Sequence, residues 1–351
     1  MNEIEQGANI DEKIISLRDL KETGHEVKNC PSASLIDLSD GVFCCEFHTK
    51  MNVLNSELID FIHTALAYVA ENGVGMVFGN EACGTPGAFS AGANLVEVAT
   101  LVTEGKFTAI SILLQNVQGA MQSARYSPFP VVAAPYGLAL GGGCEVCIGS
   151  DRMVVHSALN MGLVEMGVGL LPSGCGNLNL WKRVIGAIPE SVKNIDLGPF
   201  FMAVFLTIST GKVSKSAADA RSTGFLGPVD RIVFDRAHLI GEAKREVLKM
   251  VGDGYVPPTK QKVKVMGKAA QPLIDDYLRE MKKNEIITDY QAFLASRVGY
   301  VISGGDVERN SEVEEELILK LEETTFIDLL KEKKTLERIE HMLKTGKPLK
   351  N

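Results

Sequence analysis

The sequence predicts an α/β fold with parallel strands in its first two thirds and a helical region after it. Three observations carry this. Short apolar runs alternate with stretches of helical periodicity; glycine-rich segments join strands to helices; and the pattern turns wholly helical after the break at Tyr255-Val256-Pro257-Pro258. Val42-Phe43-Cys44-Cys45-Glu46-Phe47 reads as a strand beside an Asp40-Gly41 turn. Asn55 or Ser56 caps the next helix, whose apolar face is Leu58, Phe61, Ile62, Ala65, Leu66 and Val69, and Gly73 ends it. Residues 74–78 are a strand, 80–87 a turn-rich loop, 113–125 a helix, and Val131-Val132-Ala133-Ala134 a strand bracketed by prolines. Helical spacing returns over 212–225, then over 270–283, 289–301 and 312–343. Cys44 and Cys45, adjacent on a strand, are expected on opposite faces of its sheet.

The chain has 351 residues, enough for about two domains or one large domain with an appendage. Three segments are expected: a leader over 1–31 of unknown role, a core over 32–255 and a helical region over 256–351. With 45% apolar and 23% charged residues the composition is ordinarily globular. A net charge of −8 lacks the basic excess of a nucleic-acid binder, so no nucleic-acid partner is expected. The first residues show no basic segment followed by an apolar one, and the uncharged stretch 197–211 is too short to span a bilayer and contains Pro199. A cytoplasmic protein without a membrane span is expected, with its seven cysteines reduced. Residues 311–340 hold ten acids and five bases and read as a solvated helix face.

Two segments carry chemistry: Phe89-Ser90-Ala91-Gly92-Ala93-Asn94-Leu95, and Leu140-Gly141-Gly142-Gly143-Cys144-Glu145. Three glycines between a strand and a helix let backbone approach a ligand closely and leave N–H groups open at a helix start. Neither segment matches a phosphate loop or a dinucleotide fingerprint. Glu145 lies in the first turn after the glycines, where a carboxylate also complements the helix dipole. Glu165 lies in Met161-Gly162-Leu163-Val164-Glu165-Met166-Gly167-Val168-Gly169, an apolar setting in which a carboxyl is costly to bury and a candidate acid or base. Cys144-x-x-Cys147 has no second pair at metal spacing, so no metal is expected and both are read as small core residues.

With Pro172-Ser173-Gly174-Cys175-Gly176 and Ser216-Ala217-Ala218-Asp219-Ala220, these segments resemble the enoyl-CoA hydratase/isomerase (crotonase) superfamily over about residues 34–258. The helical tail, through Ile287-Thr288-Asp289-Tyr290, Gly304-Gly305-Asp306-Val307 and His341-Met342-Leu343, is similar to that of the hydratase half of two-activity proteins that also carry a 3-hydroxyacyl-CoA dehydrogenase half. The resemblance implies a crotonase-like ββα spiral with a C-terminal helical extension, assembled as a trimer or a pair of trimers. It implies hydration of a trans-2-enoyl-CoA in fatty-acid β-oxidation, with Glu145 and Glu165 as the two catalytic carboxyls holding one water. It places an oxyanion hole on the N–H groups of Ala91 and Gly142. It places substrate contacts at Lys50, Ala91, Gly92, Ala93, Asn94, Gly141 and Gly142. No cofactor is implied, since the CoA thioester is the substrate. A dehydrogenase is the implied partner or fused half.

Two other readings compete. An isomerase shifts a double bond and can work with one carboxylate. A non-catalytic scaffold would use Leu317, Leu319, Leu321, Ile327, Leu329 and Leu330 of the tail to dock a dehydrogenase.

Overall fold

The computed structural model describes residues 14–81, 87–189, 191–192 and 195–351. Expectations that concern 1–13, Cys83 or the middle of the 80–87 loop lie outside the described residues.

Helix α1 (Leu17–Glu22) leads into strands β1 (Glu26–Cys30), β2 (Ala33–Asp37) and β3 (Val42–Phe47), which pair antiparallel in succession. Helix α2 (Ser56–Asn72) begins where the Asn55 side chain accepts the Leu58 N–H, and it stops at Gly73. The chain continues through β4 (Gly75–Gly79), β5 (Ala88–Ser90), α3 (Leu95–Thr103) and α4 (Phe107–Arg125). Then come β6 (Val131–Ala134), β7 (Leu138–Leu140), α5 (Gly142–Gly149), β8 (Arg152–His156), β9 (Asn160–Gly162) and a 3-10 turn at Glu165–Val168. Helices α6 (Gly176–Gly186), α7 (Gly198–Ser209) and α8 (Ala217–Ser222), strand β10 (Arg231–Val233) and helix α9 (Leu239–Gly252) follow. The last third holds β11 (Val263–Lys264), α10 (Gln271–Lys283), α11 (Asp289–Ile302), β12 (Glu312–Val313), α12 (Glu315–Leu330) and α13 (Lys333–Thr345).

The pairing shows a spiral. A seven-stranded sheet has the order β1-β2-β3-β4-β6-β8-β10, and a three-stranded sheet has the order β5-β7-β9. Each turn therefore gives its first strand (β4, β6, β8) to the large sheet and its second (β5, β7, β9) to the small one, all in parallel. The large sheet is covered on both faces, as parallel strands require. On one face Val77, Val132 and Val154 pack against Leu239, Ala243 and Val247 of α9. On the other, Phe78 and Ala133 join the main core with Leu58 and Ile62 of α2. Cys44 and Cys45 fall into these two different clusters, on opposite faces as expected.

Three expectations need correction. Residues 1–31 are not all leader, because β1 is an edge strand of the large sheet and Leu17 of α1 is buried against it. The 255/256 boundary is not a break in the core: Ile274, Val298, Phe326, Leu330 and Ile339 belong to one apolar cluster with Leu180, Trp181 and Phe205. The indole N–H of Trp181 donates to the Lys264 carbonyl at 2.9 Å, tying β11 to α6. The acidic run is not simply a solvated face, since Glu315, Glu322 and Glu323 point inward and are buried. Glu315 accepts from Tyr126 at 2.6 Å and pairs with Lys182, while Glu323 accepts from Ser111 and Gln115. Most residues of the docking reading are turned to the same use: Leu319, Leu329 and Leu330 are core, Leu321 and Ile327 pack against it, and Leu317 alone of the six is exposed.

Smaller differences concern helix ends. The 312–343 run is two helices broken after Leu330, and 212–225 contains a helix only over Ala217–Ser222, capped by Ser216. The uncharged stretch at 197–211 forms buried helix α7 with Pro199 in its first turn, where a proline lacks no needed N–H. Among the described residues no helix is long and apolar enough to cross a membrane.

Because the tail shares the core, Leu330→Ala is expected to cost about 2–5 kcal/mol of global stability. In urea, Trp181 fluorescence and far-UV circular dichroism should move together in one transition. A separate early transition for the helical tail would contradict a shared core.

Candidate active site

The three strands of the small sheet end together. β5 runs out at Ser90, β7 at Leu140 and β9 at Gly162, with Leu140 paired to Gly162 and Ser90 to Ala139. Their carboxyl ends deliver the 91–94 loop, the Gly141-Gly142 turn and the Glu165 turn to one place, the usual position for a site in parallel sheets. The Gly141 N–H donates to the Gly162 carbonyl at 2.9 Å, and φ of +54° at Gly141 swings the chain into α5. A Cβ on Gly141 would lie 3.2 Å from Glu165 Oε1, and one on Gly142 would lie 3.8 Å from Glu145 Oε2. The two carboxyls thus lie against one peptide unit.

Glu145 is almost wholly buried in the first turn of α5. Its Oε1 accepts the N–H groups of Gly174 at 2.7 Å and Gly176 at 2.9 Å. A Cβ at either glycine would come within 2.7 Å or less of this carboxyl, so backbone can reach it only because both positions lack side chains. Burial pushes the Glu145 carboxyl up to about 7, against the pull of the backbone N–H groups from 173–176. Glu165 opens the 3-10 turn, and its Oε2 is buried without a hydrogen-bond partner among the described residues. Burial and the nearby Glu145 and Glu322 carboxyls hold it well above the ordinary carboxylate range. The tail braces this turn: Thr335 Oγ1 donates to the Gly169 carbonyl at 2.7 Å, and Arg338 donates to the Met166 carbonyl at 3.2 Å.

The expected oxyanion pair changes by one member. The Ala91 N–H donates to the Met51 carbonyl at 3.0 Å and is not open to a ligand. With Gly92 at φ +98°, the chain turns between Ala91 and Ala93. Among the described residues the Ala93 N–H has no acceptor, and it lies 3.6 Å from where a Gly142 Cβ would be. Gly142 is the first residue of α5, so its N–H has no partner within the helix. Ala93 and Gly142, rather than Ala91 and Gly142, are the open pair. In a loop of small residues nothing in the sequence says which amide faces outward.

The remaining expected contacts fall nearby in different states. Lys50 is exposed in the short turn with Met51. The Asn94 side chain caps α3 by accepting from Val96 and Glu97, so its oxygen already has donors. Cys144 and Cys147 are core residues whose thiols burial pushes upward, which keeps them protonated.

One carboxyl was missed: Glu322 of α12, fully buried beside the Glu145 loop. Its signal was available, because Ile318, Leu319 and Phe326 stand three or four residues away and place it on the apolar face of its helix.

Residues 38–192 match the family model described as enoyl-CoA hydratase/isomerase. The chain is 31% identical over 205 residues to a probable enoyl-CoA hydratase of Mycobacterium leprae, covering 58% of this chain and 68% of that one. It is 38% identical over 339 residues to a protein of Bacillus subtilis named probable 3-hydroxyacyl-CoA dehydrogenase, covering 97% of this chain and 42% of that one. The chain therefore spans about two fifths of the length of that longer relative. Its fold is similar to that of the enoyl-CoA hydratase of Bacillus halodurans, with a TM-score of 0.57 at 17% identity over 88% of this chain and 99% of that one. The fold is crotonase-like. The chain belongs to the enoyl-CoA hydratase/isomerase family.

The raised carboxyl at Glu145 makes a stability prediction. Its folded value of about 7 exceeds the unfolded value near 4.3, so folding favours the protonated form. That contribution is complete below about pH 4 and is lost as pH rises through 7. Glu145→Gln cannot ionise, so its melting temperature should gain on wild type between pH 5 and 8. A gap independent of pH would show that Glu145 ionises as easily folded as unfolded.

Proposed function

We propose that this protein is an enoyl-CoA hydratase, adding water reversibly and syn to a trans-2-enoyl-CoA to give a 3-hydroxyacyl-CoA. The observation that carries the reading is the pairing of two buried carboxyls in unlike settings beside two open amides. Glu145 accepts two backbone N–H groups and is the more readily ionised of the pair. Glu165 has a buried, unpartnered oxygen and favours its proton. Two carboxyls whose environments separate them in this way divide base and acid work.

The thioester oxygen would accept from the N–H groups of Ala93 and Gly142, where negative charge gathers as the enolate develops. One aimed donor of this kind is worth roughly 3–4 kcal/mol of barrier. A water held by both carboxyls gives one proton to Glu145 as its oxygen bonds to C3. Glu165 delivers its proton to C2 on the same face. Transfer of the proton from Glu145 to Glu165 then restores the starting state. An isomerase needs one carboxyl to move a proton between carbons, and the second buried acid has no task in it. The scaffold reading leaves both carboxyls without work, and of the residues it relied on all but Leu317 are used in the core or packed against it.

The product is chemically the substrate of a 3-hydroxyacyl-CoA dehydrogenase, the activity in the name of the longer Bacillus subtilis relative. We place the reaction in fatty-acid β-oxidation and take such a dehydrogenase as the partner. The assembly expected of the family, a trimer or a pair of trimers, belongs to the same proposal.

The test is hydration of a ladder of 2-enoyl-CoA esters from four carbons upward, with 3-enoyl-CoA esters alongside. Wild type should hydrate at least one rung, and Glu145→Gln and Glu165→Gln should each lower kcat about 10²–10⁴-fold. Conversion of 3-enoyl esters with no hydration of 2-enoyl esters would favour the isomerase. Full hydratase rate in Glu145→Gln would remove the mechanism.

A further inference from the structure

The backbone over 174–178 is shared between two carboxylates that come from opposite sides. The N–H groups of Gly174 and Gly176 point to Glu145 Oε1. Those of Cys175 and Asn177, at 3.0 Å each, and of Leu178, at 3.2 Å, point to Glu322. Alternate amides of one short segment thus face alternate acids. Cys175 is held at φ +74°, a left-handed conformation that is unusual for a residue with a side chain. That turn lets the chain enter α6 while presenting N–H groups on both sides. The Asn177 side chain adds a fourth donor to Glu322 at 3.2 Å. Gln118 of α4 fastens the same pieces by donating to the Ser173 carbonyl and the Leu319 carbonyl, each at 3.0 Å.

Glu322 lies some 145 residues beyond the segment it holds and is fully buried. The acids around it are Glu145 and Glu165 of the site, and the Cys175 thiol lies on the segment it binds. A carboxyl buried at such cost, facing the start of a helix, is held by the N–H groups aimed at it. Burial and Glu145 still push it up to about 8.

We propose that Glu322 is a positioning residue of the hydration reaction: it fixes the 174–178 segment from behind so that Gly174 and Gly176 aim their N–H groups at Glu145. The inference rests on the reading of Glu145 as the base. It makes the helical tail a wall of the active site rather than an appendage. Without the Glu322 acceptor, Cys175, Asn177 and Leu178 must find others, and the segment can rotate its amides away from Glu145. The ground-state grip on the CoA thioester, made elsewhere by the 91–94 loop and Gly142, is untouched by that rotation. The effect therefore falls on kcat.

The experiment compares wild type with Glu322→Gln, which keeps one acceptor oxygen but sets an NH2 against an N–H. Glu322→Asp keeps the carboxyl and withdraws it by one methylene. Asp328→Asn, on the exposed face of the same helix, is the control. With the best 2-enoyl-CoA ester, Glu322→Gln should lower kcat at least tenfold and change KM less than threefold. Amide hydrogen exchange should quicken over 174–178 and stay unchanged in the sheets, and Asp328→Asn should match wild type. Should Glu322→Gln fail to fold, the same split in Glu322→Asp decides the matter. A folded variant with kcat within twofold of wild type overturns the proposal, as does a loss accompanied by faster exchange throughout the core. If wild type hydrates no rung, the reading of function fails on its own. Exchange then judges the positioning separately: local quickening over 174–178 supports it, and no change refutes it.

Discussion

Taking a carboxyl out of water is expensive, and this protein does so three times within one small volume. Glu145, Glu165 and Glu322 are all shifted toward their protonated forms by burial, and Glu145 and Glu322 each raise a neighbouring acid further. The backbone makes the arrangement tolerable. Five N–H groups at the start of α6 are directed at two of the acids. A helix start is suited to this because its first N–H groups have no partners inside the helix. Glu165 lacks such help at Oε2 and keeps its proton more firmly.

That constraint explains features that look unrelated. Gly174 and Gly176 leave no room for a side chain because Glu145 fills the space where their Cβ atoms would be. The tail must pack tightly, since it supplies Glu322 on one helix and Thr335 and Arg338 on the next, bonding the segments that flank Glu145 and Glu165. Leu319, Phe326, Leu329 and Leu330 of the tail then belong in the main core. The small sheet contributes the other half of the geometry. Its three parallel strands end within about one residue of each other, so three loops distant in sequence start from adjacent points.

Much of the site was legible in the residues. Glycine runs flanking a strand end mark close backbone approach, and a glutamate in an apolar, glycine-rich stretch marks a carboxyl with a raised proton affinity. Both signals are local, and both led to the pair that the fold brings together. Two details were not legible. Which amide of Ala91-Gly92-Ala93 faces the site depends on Met51, which takes the Ala91 N–H from a turn some forty residues earlier. Whether acidic residues of a helical run face water or protein depends on what that helix packs against, and charge counting took Glu322 for a solvated residue.

The sequence alone determined the class of chain: alternating strands and helices, capped helices, the glycine-rich segments that carry Glu145 and Glu165, and the family to which those segments belong. These follow from short-range pattern, because propensity, capping and periodicity act over a few residues. Only the tertiary structure decided that the first strand and the tail are parts of the same body, that Ala93 replaces Ala91 beside Gly142, and that a third acid stands behind the loop that holds Glu145. The open amide and the third acid depend on contacts between residues about forty and about 145 positions apart, and the energy that selects them is the burial of apolar surface and the pairing of buried polar groups.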